Sequence, residues 1–217
     1  MLKAFSKENM MKFGKNLKFA FYCTTHPMDG FWDLTHEKRG SYAVANVMLF
    51  LVLVTRILMV RYLGFLFNDT YWPKENIFKY LGSILFPLLL WCVANWALTT
   101  LFDGKGKLGQ IYIATVYCLI PYWVVHIPLI IISNFVTLNE ADLISVVSSV
   151  TMVFCGILVL CAMMQIHEYS FGKTLLFMVG TVLGICIIIF LLLIFFSMVS
   201  QGVGYFVSIY REIKFRI

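Results

Sequence analysis

Long apolar runs separated by short polar segments form the basic pattern of this chain. Five runs beyond position 40 each contain the roughly 20 apolar residues that a helix needs to cross the hydrocarbon core of a bilayer. Segments rich in glycine, asparagine and charged residues separate these runs, as is typical of turns between spans. The pattern therefore predicts an all-α polytopic membrane protein with a five-transmembrane-helix bundle. The predicted spans are 41–67, 77–102, 109–132 (with an extension to 138 left open), 143–166 and 175–200.

The first 40 residues carry a different pattern. Between positions 2 and 22, apolar side chains recur every three or four residues, whereas Lys12, Lys15 and Lys18 fall on another face. This spacing predicts an N-terminal amphipathic helix. With one basic and one aromatic face, we expect it to lie along an anionic membrane surface as an interfacial helix. The alternative is a helix that packs on a partner protein.

An aromatic segment follows this helix. In the stretch HPMDGFWDLTHEKRG, we expect Phe31 and Trp32 to enter the membrane interface while the charged residues stay in water. The carboxyl terminus is again amphipathic, with aromatic and basic residues interleaved. The predicted organisation is a cytoplasmic interfacial segment (1–40), a membrane domain (41–200) and an amphipathic C-terminal helix (201–217).

Composition and charge strengthen the membrane assignment. The chain has 217 residues, of which 61% are hydrophobic and 13% are charged, a composition typical of polytopic membrane proteins. Of its 17 Lys and Arg residues, seven precede the first span, whereas the turn NDTYWPKEN contains one and the turn NEAD none. Because positive charge accumulates on the cytoplasmic side, we expect a cytoplasmic amino terminus. The net charge of +6 is explained in this way, and no nucleic-acid partner is expected.

The third apolar run is irregular, because it contains Pro121, Pro128 and His126. Each proline removes an amide donor and obstructs the carbonyl four residues earlier, so we expect kinks. The freed carbonyls need protein or water, which predicts that this helix lies inside the bundle. Pro121, Tyr122 and His126 are therefore candidate core residues. We interpret His126 as a hydrogen-bonded bundle residue, with a ligand role as the alternative.

Two arginines and two glycines are further candidates within the spans. Arg61 lies close enough to the outer surface to reach water, but Arg56 is deeper and has no acidic partner within the hydrocarbon. We expect Arg56 to occupy a salt bridge or a polar pocket at the outer side, with simple snorkelling as the alternative. Gly180 and Gly184 allow a close helix contact, either within the chain or between copies.

Catalytic and metal-binding patterns fail in this chain. The pair His167 and Glu168 would begin an HExxH motif, but the second histidine is replaced by Phe171. The sequence GKT lacks the upstream glycine of a phosphate-binding loop, and the six cysteines occur singly without metal-ligand spacing. None of the five predicted spans contains Asp or Glu, which weighs against a proton-coupled carrier. We expect no enzyme activity, no metal and no cofactor.

Four segments carry a resemblance to a known family: HPMDGFWDLTHEKRGS, DGKGKLGQIY, VYCLIPY and HEYSFGKT. Together they resemble the membrane domain of the Yip family (Ypt/Rab-interacting proteins), in particular its short bacterial members. The resemblance implies five spans, a cytoplasmic amino terminus and no catalytic residues. Eukaryotic members are adaptors that bind Rab GTPases and shape Golgi and ER membranes. This chain lacks their DLYGP-like motif, which weighs against GTPase binding.

Two functions follow as hypotheses. The first is a non-catalytic scaffold or accessory subunit that binds the lipid bilayer and other integral membrane proteins. Because bacterial relatives are encoded near carbohydrate ABC importers, permease subunits of ABC transporters are candidate partners, and the bacterial cytoplasmic membrane is the expected location. The second is a small channel or carrier with a path beside the third span.

Overall fold

The computed structural model describes residues 7–64, 67, 76–102, 104–137 and 140–216. The described residues form eight α-helices, in agreement with the predicted all-α class. Most of the turn NDTYWPKEN lies outside the described residues, as do positions 1–6. The helices are α1 (Lys7–Thr25), α2 (Pro27–His36), α3 (Tyr42–Tyr62), α4 (Ile77–Leu101), α5 (Leu108–Cys118), α6 (Ile120–Ser133), α7 (Ala141–His167) and α8 (Phe171–Arg216).

Five of the segments are long and apolar enough to cross a membrane, which confirms the predicted number of spans. They are α3, α4, α5 together with α6, α7, and α8 as far as Phe215. Successive spans run in opposite directions. We call the side where α3 and α5 begin the amino-terminal side, and the side where α3 and α6 end the far side.

Local signals explain several helix ends. Pro27 begins α2, where its missing amide donor is not needed. The side chain of Asn76 accepts a hydrogen bond from Phe78 N at 3.0 Å and caps α4. Glu168 ends α7 in a left-handed conformation, with φ of 54°.

The third span is interrupted at Leu119, between α5 and α6. Pro121 cannot donate a backbone hydrogen bond, and the chain forms tighter bonds around it: Leu119 N donates to Val116 O, and Tyr122 N donates to Leu119 O, both at 3.1 Å. The predicted irregularity at Pro121 is confirmed, whereas Pro128 is accommodated inside α6.

This interrupted span is also the centre of the bundle. About 56% of the most apolar 18-residue stretch of this span is buried, against 33% or less of the corresponding stretch in each of the other four spans. α5 packs against α1, α2, α3, α4 and α7, and the fully buried Tyr117 lies in the main core cluster. Beyond the interruption, α6 packs against α3 and α7 but hardly contacts α4. The expectation of an internal third span is confirmed.

The first two helices form a hairpin on the bundle. A Cβ atom at Gly30 would lie 2.7 Å from Cys23 Cα, so the two helices approach closely because residue 30 is glycine. The predicted amphipathic helix is present, with Lys12 and the other basic residues of its polar face exposed. Its C-terminal turn reaches deeper than a helix lying flat on the surface, because Phe21 contacts Trp123 in α6 at 6.0 Å between ring centroids.

The last helix is continuous. α8 has 46 residues, about 69 Å at 1.5 Å per residue, which is roughly twice the thickness of the hydrocarbon core. The predicted fifth span (175–200) and the predicted C-terminal helix (201–217) therefore belong to one helix, with no break at position 200. Every residue from Ile189 to Ser208 is exposed.

Candidate functional site

A polar cleft lies within the far half of the bundle. We call it the Arg56 cleft, and its volume is about 370 Å³. Four spans contribute to it, and its walls combine apolar side chains with one arginine, one histidine, one tyrosine and two serines. The lining residues are Val52, Arg56, Met59, Ser83, Ile84, Leu119, Tyr122, His126, Ser148 and Met152.

The polar residues of the cleft lie at one depth although they come from four helices. Arg56 is six residues before the end of α3, and Ser83 is six residues after the start of α4. His126 is seven residues before the end of α6, and Ser148 is seven residues after the start of α7. Each is therefore about 9–11 Å below the far end of its helix. The four polar side chains therefore form one layer within the far half of the bundle.

The interruption at Leu119 explains why the cleft exists. α5 fills the space between α4 and α7 on the amino-terminal side, because it packs against both. α6 continues toward α3 and α7 and leaves α4, while α4 and α7 hardly contact each other. The space next to Leu119 and Tyr122 therefore stays open between α4 and α7. Ser83 and Met152 lie exposed at this opening.

His126 holds a defined position at the buried wall of the cleft. Its Nδ1 atom lies 2.7 Å from Tyr122 O, and its Nε2 atom lies 3.0 Å from the Ser148 hydroxyl. A carbonyl oxygen only accepts, so Nδ1 carries the hydrogen and Nε2 accepts from Ser148. This geometry is that of a hydrogen-bonded bundle residue, and it orients the Ser148 hydroxyl.

Arg56 supplies the charge of the cleft. Its guanidinium carbon lies 6.0 Å from the centroid of the Tyr80 ring, and the group interacts electrostatically with Tyr122 and His126. Among the described residues, no carboxylate forms an ion pair with Arg56, and the ion pairs of Arg39, Lys105 and His36 lie on the amino-terminal side. Glu140, an acidic residue just before α7 on the far side, accepts hydrogen bonds from Thr137.

The structure brings together only some of the residues that the sequence singled out. Arg56, Tyr122 and His126 share the cleft, whereas Pro121 is buried beside the end of α1 and Arg61 is exposed at the end of α3.

The glycine pair lies elsewhere, at the contact between α4 and α8. A Cβ atom at Gly180 would lie 3.0 Å from Leu98, and one at Gly184 would lie 3.9 Å from Ala94. The close approach that these glycines permit is therefore an intramolecular one in this structure.

The residues predicted to lie at the membrane interface differ in their exposure. Lys12, Lys15 and Lys18 are exposed on α1, and Trp32 is exposed and stacks on His36 with 4.4 Å between ring centroids. Phe31, expected to enter the membrane interface, is instead fully buried in the main core cluster. The physical reason is that α2 packs against α7 and α5, so one face of α2 points into the protein.

Sequence reasoning missed Ser83, Ser148 and Tyr80. Serine is common in membrane spans, so its presence alone carries little information. The signal that was available is depth: each serine lies within two turns of a span end that faces the same side as Arg56. Recognising it requires knowing which spans are neighbours.

A second polar region, the amino-terminal network, closes the opposite side of the bundle. Gly106 N donates to Nδ1 of the buried His167 at 3.3 Å, so Nε2 carries the hydrogen and donates to Asn95 Oδ1 at 3.0 Å. Asn95 Nδ2 in turn donates to the Thr181 hydroxyl at 3.2 Å. This chain of bonds joins α4, α7, α8 and the turn before α5, and each of its polar groups has a partner.

Ion pairs surround this network at the surface. Lys105 donates a hydrogen bond to Glu168, and His36 Nε2 lies 3.4 Å from the same carboxylate. The hydrogen bond from Lys105 holds the pKa of the Glu168 carboxyl below its ordinary value, and the charge of Lys105 and the proximity of His36 act in the same direction. Tyr169 also donates to Phe102 O at 2.9 Å. Segments that are far apart in the sequence, HPMDGFWDLTHEKRG, GKGKL and HEYSFGKT, therefore meet here.

Neither region has the composition of a metal or nucleophile site. Among the described residues, no group of three His, Cys, Asp or Glu side chains is placed to hold a metal ion. Burial raises the pKa of the Cys23 thiol to about 12, so this thiol stays protonated at neutral pH.

The fold and these regions define a polytopic helical membrane protein. The family model of the Yip1 domain matches residues 21–194. The chain therefore belongs to the Yip1 domain family, as its sequence motifs predict. Proteins of this family are generally non-catalytic and related to membrane trafficking, and they interact with other membrane proteins. No curated protein and no solved structure matches the chain.

Proposed function

We propose that this chain is a non-catalytic scaffold or accessory subunit that binds another integral membrane protein through the second half of α8. The observation that carries the proposal is the exposure of every residue from Ile189 to Ser208. Lipid solvates an apolar helix within the bilayer, so exposure there does not by itself require a partner. The last part of α8 is different, because the helix is longer than the bilayer is thick.

Contact with lipid does not account for the exposure of the aromatic residues near the end of α8. A span of about 20 residues that starts at Phe171 ends well before residue 200. Tyr205, Phe206 and Tyr210 lie beyond that point, and all three are largely exposed. A row of aromatic side chains outside the hydrocarbon marks an interaction surface.

The exposed second half of α8 leaves a surface on which a partner helix could pack. α4 and α8 pack at the amino-terminal side, where Phe102 and Phe177 lie 5.3 Å apart between ring centroids. Beyond Ile188, near the depth of Pro87 in α4, every residue of α8 as far as Ser208 is exposed. Membership of a family whose proteins interact with other membrane proteins supports the same proposal.

The proposal extends to the class of partner protein and to the membrane in which the chain lies. We take permease subunits of a carbohydrate ABC importer as the first partners to test, in a bacterial cytoplasmic membrane with the amino terminus on the cytoplasmic side. The basic residues ahead of the first span support this orientation.

Site-specific photo-crosslinking in the native membrane tests the proposal. Crosslinking residues at Leu193 and Phe206 on α8 are expected to capture one other integral membrane protein, which also copurifies in gentle detergent. Matched positions on the lipid-facing side of α7, Val153 and Ile157, are exposed as well and serve as controls. A chain recovered only as a monomer, capture of a second copy alone, or equal capture from α7 contradicts the proposal.

A second candidate function is a small channel or carrier, and the observation that favours it is the Arg56 cleft beside Tyr122 and His126. Reconstituted liposomes should then release ions or a sugar. Release that is unchanged in a variant combining Pro121→Ala and His126→Ala would remove this candidate.

A further inference from the structure

The charge of Arg56 needs an anion. A guanidinium stays protonated at any physiological pH, and a charged side chain at hydrocarbon depth is costly unless it is paired or solvated. Within the described ranges, no carboxylate lies at ion-pair distance from Arg56. Its cation–π contact with Tyr80, at 6.0 Å, neutralises no charge.

Two hydroxyl groups of the Arg56 cleft are hydrogen-bond donors. Their present acceptors are weak, or can be replaced by a ligand. The Tyr122 hydroxyl donates to Met59 Sδ at 3.4 Å, and a thioether is a weak acceptor. The Ser83 hydroxyl is exposed and donates to Tyr80 O within its own helix. A guanidinium with nearby hydroxyl donors matches a ligand that offers several acceptor oxygens and a negative charge, as a phosphate does.

The shape of the cleft indicates where such a phosphate comes from. The opening lies between α4 and α7, which hardly contact each other, so it faces the leaflet on the far side. The polar layer is about 9–11 Å below the helix ends, within reach of a lipid headgroup but deep for a soluble ion. Apolar side chains complete the walls, among them Val52, Ile84 and Met152.

We infer that the Arg56 cleft binds the phosphate of an anionic phospholipid, with Arg56 pairing the charge and the Ser83 and Tyr122 hydroxyls as hydrogen-bond donors. The acyl chains lie in the gap between α4 and α7. His126 is a positioning residue for Ser148 at the wall of the cleft. This assignment does not rest on partner binding through α8, because the cleft and the exposed part of α8 are separate surfaces.

Native mass spectrometry of the full-length chain in mild detergent tests this inference. Three probes separate the sources of binding: phosphatidylglycerol, diacylglycerol with the same acyl chains, and glycerol phosphate without acyl chains. We expect one retained phosphatidylglycerol per chain and little retention of either control. Arg56→Gln should reduce that retention about tenfold or more, since a charge-assisted contact is lost.

Two pairs of variants keep the test specific, and each pair joins a test substitution to a matched control. The first pair is Arg56→Gln with Arg61→Gln, and the second is Met152→Trp with Val153→Trp. Arg61→Gln removes the same charge from the same helix outside the cleft, and we expect it to retain the lipid. Met152→Trp fills the opening while Arg56 is kept, and we expect it to lose the lipid. Val153→Trp, at the neighbouring exposed position, should retain it. The second pair remains informative if the Arg56 variant does not fold.

Three results would overturn the inference. Equal retention by the wild type and Arg56→Gln would mean that Arg56 only snorkels. Retention of diacylglycerol as strong as that of phosphatidylglycerol would mean that the cleft holds acyl chains alone. Binding of glycerol phosphate that phosphatidylglycerol does not displace would identify a site for a soluble anion.

Discussion

The two polar regions of this bundle differ in whether their hydrogen bonds are satisfied within the chain. In the amino-terminal network, the donors and acceptors of His167 and Asn95 meet partners on other helices or in the turn before α5, and Glu168 is paired with Lys105. In the Arg56 cleft, the charge has no carboxylate partner among the described residues, and the hydroxyl of Tyr122 donates to a thioether sulfur, which is a weak acceptor. The first arrangement stabilises the fold, and the second is suited to a ligand.

This difference follows from the interruption of the third span. On the amino-terminal side, α5 lies between its neighbours, so polar groups are brought within bonding distance of each other. On the far side, α6 departs from α4, so Arg56 and Ser83 line a gap, although His126 and Ser148 on α6 and α7 still meet at 3.0 Å. A single proline-linked break therefore separates a closed end of the bundle from an open one.

The largest expected effect is in the closed region. His167→Ala should lower the free energy of unfolding by about 3 kcal/mol, because it leaves a cavity and removes the partners of Gly106 N and Asn95 Oδ1. Ser148→Ala in the cleft removes one hydrogen bond and should cost about 1 kcal/mol or less. Unfolding in sodium dodecyl sulfate, followed by tryptophan fluorescence, measures both. Equal losses would mean that the two regions do not differ in this way.

A pair of glycine substitutions sharpens the comparison, because the two should differ in sign. A Cβ atom at Gly106 would lie 2.5 Å from His167 Cε1, so Gly106→Ala should destabilise by about 1–3 kcal/mol. A Cβ atom at Gly82, in the far half of α4, would meet nothing within 4 Å, so Gly82→Ala should stabilise by about 0.5–1 kcal/mol. The same unfolding measurement applies, and a stabilising Gly106→Ala would contradict close packing in the network.

Much of this fold is predictable from hydrophobic pattern alone, because a run of 20 apolar residues has few alternatives to a membrane span. The second predicted span differs from α4 by one residue, and Pro121 marked the break in the third. Helix neighbours are less predictable, since apolar spans carry little information on which faces meet. Phe31 shows the limit: its aromatic segment is typical of an interface, but contact with α5 and α7 buries it.

The candidate site was predictable only through its charge. Arg56 stood out because arginine is costly in a span, whereas Ser83 and Ser148 are ordinary there. Their role depends on the depth they share with Arg56, which emerges only when four helices are assembled. The continuity of α8 through position 200 was hidden for a similar reason, since its C-terminal part changes composition without changing conformation.

A smaller effect, opposite in sign to that of His167→Ala, is expected at Arg56. Arg56→Leu should raise the free energy of unfolding by about 1 kcal/mol in lipid-free detergent, because it removes a charge with no carboxylate partner among the described residues. Added phosphatidylglycerol should stabilise the wild type and not the variant, as ligand linkage requires. A clear loss of stability in Arg56→Leu without lipid would place Arg56 with the satisfied groups and remove the contrast between the regions.

The smallest effect concerns pH at the surface of the amino-terminal network. The folded-state pKa of Glu168 lies below its ordinary value because Lys105 donates a hydrogen bond to the carboxylate. Glu168 therefore contributes stability above its unfolded-state pKa of about 4.5, and this contribution is lost as the pH falls through the lower folded-state value. The carboxylate is solvent-exposed, and Lys105 and His36 face it, so we expect only a slight drop in unfolding midpoint as the pH falls from about 5 to about 3. Glu168→Gln should reduce that drop, while Glu140→Gln, on the far side, should leave it unchanged. An identical pH dependence in wild type and Glu168→Gln would show that this ion pair adds nothing to the closure of the amino-terminal side, which would then depend on the buried hydrogen bonds of His167 and Asn95.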